Sequence, residues 1–251
     1  MTMRIIHRIS ISSSPEIRSE LARMSILVGG NGLVWFDADE SGESWRKLQR
    51  WIAARRPADI VRTEFSAEEI AGAKWLELMP DWHYGYPQPK PDVSGYREAT
   101  YDLSEYCEEC GIGLKQKAPF QMKGGPKWGR RGILQLNWVF DEYFVTPNLW
   151  TRAFKPRGIG CRQVLNTRGT KLETVVQLAV TEEVDLITEG LQFERCGPCG
   201  RVRYLPSLRG FFPPLLHEPI SYMAKTRDYF GSGASACKRV LISQELHRAL
   251  V

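Results

Sequence analysis

Two short cysteine motifs constrain this chain more than any other feature. The form C-x-x-C-G occurs at residues 107–111 and again at residues 196–200. Two intervening residues let both sulfurs of a pair face one point, and the glycine that follows supplies the positive φ that closes the turn. Two such turns provide four thiolates, the closed tetrahedral set that is typical of structural zinc. We therefore predict one structural Zn²⁺ ion whose ligands are Cys107, Cys110, Cys196 and Cys199.

The two motifs lie far apart, because 85 residues separate Cys110 from Cys196. A metal that joins them closes a long loop, where a cross-link removes the most chain entropy. Zinc binding to small peptides contributes about 10–16 kcal/mol, compared with about 5–15 kcal/mol for the stability of a whole domain. We expect the metal to be required for folding.

Other interpretations of the cysteines are weaker. Cys196-Gly-Pro-Cys199 is also a dithiol sequence of thioredoxin-like enzymes, but there a long helix contains the second cysteine, whereas strand-like residues follow it here. A zinc deaminase requires an H-x-E motif, which the four histidines do not provide. Cys161 and Cys237 belong to neither motif. We interpret both as buried, unreactive thiols, with a redox role or a fifth metal ligand left open.

Composition indicates an ordinary globular protein, with 43% hydrophobic and 25% charged residues among 251. No stretch of 18 apolar residues occurs, so we predict no membrane span. Arg4, His7 and Arg8 interrupt the region that a secretory signal would keep apolar. We expect a cytoplasmic protein, in which paired cysteines more often bind metal than form disulfides.

Apolar periodicity and capping residues predict an α+β fold, with helices concentrated early and a strand-rich region organised around the four-cysteine zinc site. The proline-rich segment 80–92 suggests a linker or a packed loop. If it is a linker, it divides the chain into an α/β-type region at 1–90 and a zinc-ribbon-containing region at 91–251. The alternative is one continuous domain. Helices are predicted at 15–28, 44–55, 67–78, 147–154 and 234–249. Strands are predicted at 4–11, 33–37, 99–106, 132–140, 172–180 and 201–205.

Charge is distributed unevenly along the chain. Residues 1–100 carry 13 basic and 14 acidic side chains, whereas the remainder carries 21 basic and 15 acidic ones. A basic group interleaved with aromatic residues spans 115–131, and another flanks the second motif; if the two met, they would form a positive face suited to nucleic acid. The second group consists of Arg195, Arg201, Arg203 and Arg209.

Both motifs, together with the segments 128–138 and 228–233, resemble the myxobacterial double-CXXCG family of paralogous proteins. Its members are described as immunity proteins of the Sit toxin–immunity type. The resemblance covers about residues 100–251, and only the four cysteines of the motifs carry over as site residues. It implies a protein that binds and masks a cognate toxin protein in the cytoplasm.

The chain shows no Gly-rich phosphate loop, nucleophile elbow or paired-carboxylate constellation. We therefore predict no enzyme, with no catalytic residues and no cofactor-binding residues besides the zinc ligands. The favoured function is toxin neutralisation, and the alternative is a zinc-ribbon nucleic-acid-binding protein. Because partners are electrostatically complementary, an acidic cluster early in the chain is an alternative docking face for a basic toxin. This cluster contains Asp37, Asp39, Glu40 and Glu43.

Overall fold

The computed structural model describes residues 3–30, 32–89, 93–206 and 208–251, and it has the mixed α+β architecture that the sequence predicts. The chain divides into two units. Unit 1 contains Met1–Ala73 and Ser207–Phe212, and unit 2 contains Lys74–Pro206 and Pro213–Val251. None of the helices among the described residues is long and apolar enough to cross a lipid bilayer.

Unit 1 is a three-stranded antiparallel sheet with helices inserted between its strands. The central strand is β1, in the order β2-β1-β3. The elements in chain order are β1 (Arg4–Ser12), α1 (Pro15–Arg23), β2 (Leu33–Asp39), α2 (Trp45–Arg55), β3 (Ala58–Glu64) and α3 (Ala67–Gly72).

The core of unit 1 forms where one face of the sheet meets the apolar sides of α1 and α2. Ile9 and Val34 from the strands are fully buried with Leu21 and Leu48 from the helices. The predicted helix at 15–28 is shorter in the structure, because the backbone N–H groups of Met24 and Ser25 form turn hydrogen bonds that end α1.

The acidic cluster of unit 1 is largely occupied by internal contacts. Asp37 pairs with Arg8 at 2.8 Å, and this hydrogen bond, opposed by desolvation, lowers the pKa of Asp37 to about 2. Glu40 contacts buried His7 at 2.8 Å and also pairs with Arg209. These carboxylates are therefore less available to a partner than their sequence positions indicate.

Unit 2 contains the remaining helices and strands. They are β4 (Trp75–Glu77), α4 (Val93–Thr100), β5 (Tyr101–Asp102), β6 (Lys115–Gln116), β7 (Gln121–Met122), β8 (Ile133–Leu134), β9 (Phe144–Val145), α5 (Pro147–Leu149), β10 (Gly160–Asn166), β11 (Lys171–Ala179), β12 (Glu183–Val184), β13 (Phe193–Arg195), β14 (Val202–Tyr204), β15 (Met223–Phe230), β16 (Cys237–Ser243) and α6 (Gln244–Leu250). A π-helical turn (Trp150–Phe154) and a 3₁₀ turn (Lys155–Arg157) continue α5, and a second 3₁₀ turn covers Gly233–Ser235.

These strands form three sheets. One has the order β7-β10-β11-β9-β8, and a larger one has the order β13-β14-β15-β16-β4, with β12 paired to β15. The third is the short hairpin β5-β6. Phe120 and Phe144 lie in a fully buried cluster, and Phe154, Leu178 and Leu246 lie in another.

Four predicted elements of the chain are wrong. Within the strand predicted at 132–140, only Ile133–Leu134 form a strand, β8. The segment predicted as a strand at 99–106 contains the end of α4 and only two strand residues. The helix predicted at 234–249 is instead β16 followed by α6, because β16 pairs along β15 and β4. The helix predicted at 67–78 ends at Gly72, and Trp75 lies in β4. The capping box that begins this helix is confirmed by the reciprocal hydrogen bonds of Ser66 and Glu69.

Residues 80–89 of the proline-rich segment pack against the rest of unit 2, and the predicted boundary between residues 90 and 91 falls inside that unit. β4 joins the large sheet through β16, which places the division after Ala73. Backbone hydrogen bonds then connect Tyr84 to Gln135 and Gln88 to Gln121. Residues 90–92 of the predicted loop lie outside the described residues.

A buried ion pair lies among the strands of unit 2. Lys225 Nζ contacts Glu142 Oε1 at 2.6 Å, and Gln177 donates to Glu142 Oε2 at 2.9 Å. Desolvation lowers the pKa of Lys225, but the carboxylates of Glu142 and Asp141 outweigh it and raise the pKa to about 12. Lys225 is therefore charged, and the carboxylate of Glu142 compensates its burial.

Removing one partner of this pair should strongly destabilise unit 2. We expect Lys225→Met to reduce the free energy of unfolding by about 3–5 kcal/mol, because Glu142 remains buried and uncompensated. The double change Lys225→Met with Glu142→Gln should recover most of this loss, since it removes the charge while an amide oxygen still accepts from Gln177. Urea unfolding measures the free energy of unfolding of the single and the double variant. Lys171→Met, which breaks the exposed pair with Glu173, is the control and should cost less than about 1 kcal/mol.

Candidate metal centre

Each cysteine motif lies at the tip of an antiparallel hairpin. The first motif connects β5 to β6, in which Asp102 pairs with Lys115. The second motif connects β13 to β14, in which Arg195 pairs with Val202. We call the tips knuckle 1 (residues 107–112) and knuckle 2 (residues 196–201).

The two knuckles have the same backbone hydrogen bonds. In knuckle 1 the Gly111 N–H donates to Cys107 O at 2.8 Å, and the Cys107 N–H donates to Ile112 O at 2.9 Å. In knuckle 2 the equivalent bonds, from Gly200 to Cys196 and from Cys196 to Arg201, have the same two lengths. This repetition follows from the shared C-x-x-C-G sequence.

Both glycines adopt the positive φ that the motif predicts. The φ angle is 79° at Gly111 and 70° at Gly200. A side chain at either position would strain the backbone. At Gly111 a Cβ atom would also lie 2.4 Å from Ala234 O, whereas at Gly200 it would meet open space.

The hairpins bring all four motif cysteines together. Their sulfur atoms lie within 4.8 Å of one another. The Sγ–Sγ distance is 3.7 Å between Cys107 and Cys196, and 3.6 Å between Cys110 and Cys199. A disulfide requires about 2.05 Å, and the four cysteines are free thiols.

These distances fit a tetrahedral metal site. Four sulfurs at about 2.3 Å from a zinc ion stand about 3.8 Å apart along each tetrahedral edge. The two pairs that bridge the knuckles match this edge to within about 0.2 Å. The four sulfur atoms are therefore placed where they could hold one metal ion.

Backbone N–H groups direct their positive ends at the sulfurs. The N–H of Cys110 lowers the pKa of the Cys107 thiol, against the effect of desolvation. The N–H of Ile112 does the same for Cys110, but burial of that thiol is the larger effect and raises its pKa. A cation bound among the four sulfurs would supply the charge that keeps them as thiolates in this half-buried position.

A side chain and a third segment hold the knuckles in position. Arg201 Nη1, from knuckle 2, donates to Glu105 O at 2.7 Å and to Ile112 O at 3.0 Å beside knuckle 1. The Ala236 N–H donates to Cys110 O at 3.2 Å. Cys110 and Cys196 are buried in a small cluster with Ile112 and Ala236. Sequence analysis missed the role of Ala236, since nothing local marks it.

The other sulfur and imidazole groups lie elsewhere. Cys161 is in β10, and Cys237 begins β16 with its thiol 3.8 Å from Phe230 O. Among the described residues, the only group of three or more potential metal ligands is the four-cysteine cluster. Cys199 is followed by strand β14, not by the helix that a thioredoxin-like site would place there.

The two basic groups do not combine as the nucleic-acid interpretation requires. Arg195 donates to Gly200 O, Arg203 pairs with Glu194, and Arg201 bridges the knuckles. Arg209 belongs to unit 1. In the other group, five cations have no carboxylate within 4.0 Å among the described residues: Lys117, Lys123, Lys127, Arg130 and Arg131.

Comparison with protein-family models, curated proteins and solved structures finds no match to this chain.

The two knuckle glycines offer a matched test of how the centre is built. Gly200→Ala should lower stability by about 1–2 kcal/mol through backbone strain alone. Gly111→Ala should cost clearly more and weaken metal retention, because its Cβ collides with the backbone of Ala234. Thermal unfolding and metal content after dialysis measure both effects. Equal losses in the two variants would contradict the docking of knuckle 1 on residues 234–236.

Proposed function

We propose that Cys107, Cys110, Cys196 and Cys199 hold one zinc ion in a structural site. The observation that carries this proposal is the pair of inter-knuckle sulfur distances, which match the edge of a zinc–thiolate tetrahedron. Four protein ligands leave no open coordination position, so the ion stabilises the fold instead of activating a substrate. Iron also accepts tetrahedral sulfur, and its colour distinguishes it.

Metal analysis of the purified chain tests this site. We expect about one zinc per chain, with loss of the metal in Cys110→Ser and Cys199→Ser, because three thiolates bind zinc more weakly. Cys161→Ser and Cys237→Ser are the controls, since neither thiol belongs to the cluster, and both should retain zinc. Elemental analysis gives the stoichiometry, and a chelator should lower the unfolding temperature of the parent chain. Full zinc content in the Cys110→Ser, Cys199→Ser double variant would refute the assignment.

We further propose that the chain is an immunity protein that binds and neutralises a cognate toxin protein in the cytoplasm. Its resemblance to the double-CXXCG family supports this function. The closed sulfur site also supports it, because a rigid metal-stapled body suits recognition by a fixed surface. Under this proposal the zinc acts only by holding the binding surface in shape.

A protection assay tests the immunity function. The gene immediately upstream is expressed with and without this chain in the same host. We expect growth to be inhibited by the neighbour alone and restored by co-expression. Cys161→Ser should still protect, whereas Cys110→Ser should fail because the knuckles separate.

The alternative function, nucleic-acid binding, predicts a different outcome of the protection assay. Lys123, Lys127, Arg130 and Arg131 carry the uncompensated charge that nucleic-acid binding would use. Tight binding to random single-stranded oligonucleotides that weakens steeply with salt, without protection from the neighbouring gene, would replace the immunity function with this one.

A further inference from the structure

A cavity of about 540 Å³ lies beside knuckle 1 and entirely within unit 2. Gly111 and Gly113 line one side, and β15, β16 and residues 138–142 line others. Its volume is within the usual range of about 300–1,000 Å³ for small-molecule sites. None of the four cysteines of the zinc site lines this space.

The charges of the cavity wall leave a positive excess. Three of its cations are paired with carboxylates of the same wall: Lys115 with Glu105, Lys225 with Glu142, and Lys238 with Glu183. Three more cations line the cavity without a carboxylate within 4.0 Å among the described residues. They are Arg97, Arg162 and Arg201. The one remaining acid is Asp141, which approaches Lys225 at 3.9 Å.

These three arginines have unused hydrogen-bond donors. Arg97 Nη1 donates to Tyr106 Oη at 2.5 Å, yet its buried Nε has no partner. Arg162 uses Nη1 on Gln116, and Arg201 uses Nη1 on two carbonyl oxygens. A guanidinium has five N–H donors in a planar fork. Among the described residues, most donors of these three side chains therefore lack an acceptor.

A tyrosine hydroxyl adds a fourth group. Tyr101 lines the cavity and is only 5% exposed, and its hydroxyl has no hydrogen-bond partner among the described residues. The neighbouring Tyr96, by contrast, donates to Trp138 O at 3.1 Å. Tyr101 is thus a donor available to a ligand in the cavity.

We propose that this cavity binds a small anionic molecule that carries phosphate or several carboxylate groups. Phosphate and carboxylate oxygens are the acceptors that the arginine fork matches in a bidentate manner. Arg97, Arg162 and Arg201 supply the charge, and the Tyr101 hydroxyl donates to one oxygen. This site does not depend on the immunity function, and the two are tested separately.

Calorimetric titration of the zinc-loaded full chain tests the site. Pyrophosphate and citrate are the probes, at constant ionic strength, with chloride as the background anion. We expect binding by at least one of them. Arg162→Gln should weaken it by about 10–100-fold, as the loss of a charged hydrogen bond does. Tyr101→Phe, which removes only the hydroxyl, should weaken it by about 3–10-fold.

Controls separate a built site from general attraction of anions. Arg152 also lacks a carboxylate partner among the described residues but lines a different cavity, so Arg152→Gln should bind as the parent does. Arg162→Lys keeps the charge without the fork and should give an intermediate affinity. Preference for pyrophosphate identifies a phosphate ligand, and preference for citrate identifies a polycarboxylate; both support the site. Absence of binding by both probes, or equal weakening in Arg152→Gln, would overturn it.

Discussion

The meeting of two hairpin tips at four sulfur atoms is the constraint on which unit 2 depends. Between Cys110 and Cys196 the chain forms the whole five-stranded sheet, so the tips meet only after a long loop has closed. Loop closure costs entropy, and thiols at 3.6–3.7 Å without a shared cation have little attraction to offset it. A metal ion held by the four sulfurs would provide that attraction, and its binding would then be linked to the folding of the sheets.

The large sheet extends this constraint through the rest of unit 2. β14 continues directly from knuckle 2 and pairs with β15. Ala236, just before β16, donates its N–H to Cys110 O in knuckle 1. The two knuckles are thus attached to neighbouring strands of one hairpin. The cavity beside knuckle 1 is bounded by the same strands, so its shape depends on the sulfur cluster as well.

Sequence reasoning located the sulfur site because its signals are local. Spacing and the glycine after each second cysteine determine the knuckle, and both glycines have the required positive φ. The supports were not visible, since Arg201 and Ala236 reach partners about 90 or more residues away. Long-range pairing also explains the wrong elements. Residues 237–243 have apolar spacing that suits a helix. They form a strand because β15 and β4 pair with them on either side.

Charge counted along the sequence overstates the charge available to a partner. The arginines around knuckle 2 hold the hairpins together, and the early acidic cluster pairs with Arg8, His7 and Arg209. Cations of unit 2 that have no carboxylate within 4.0 Å among the described residues include those of the basic segment 123–131 and the arginines of the cavity. An approaching partner gains more by meeting these cations with acidic groups than by meeting charges that ion pairs within the chain already satisfy. Recognition of an acidic surface is therefore the form of binding that the free charges of unit 2 favour.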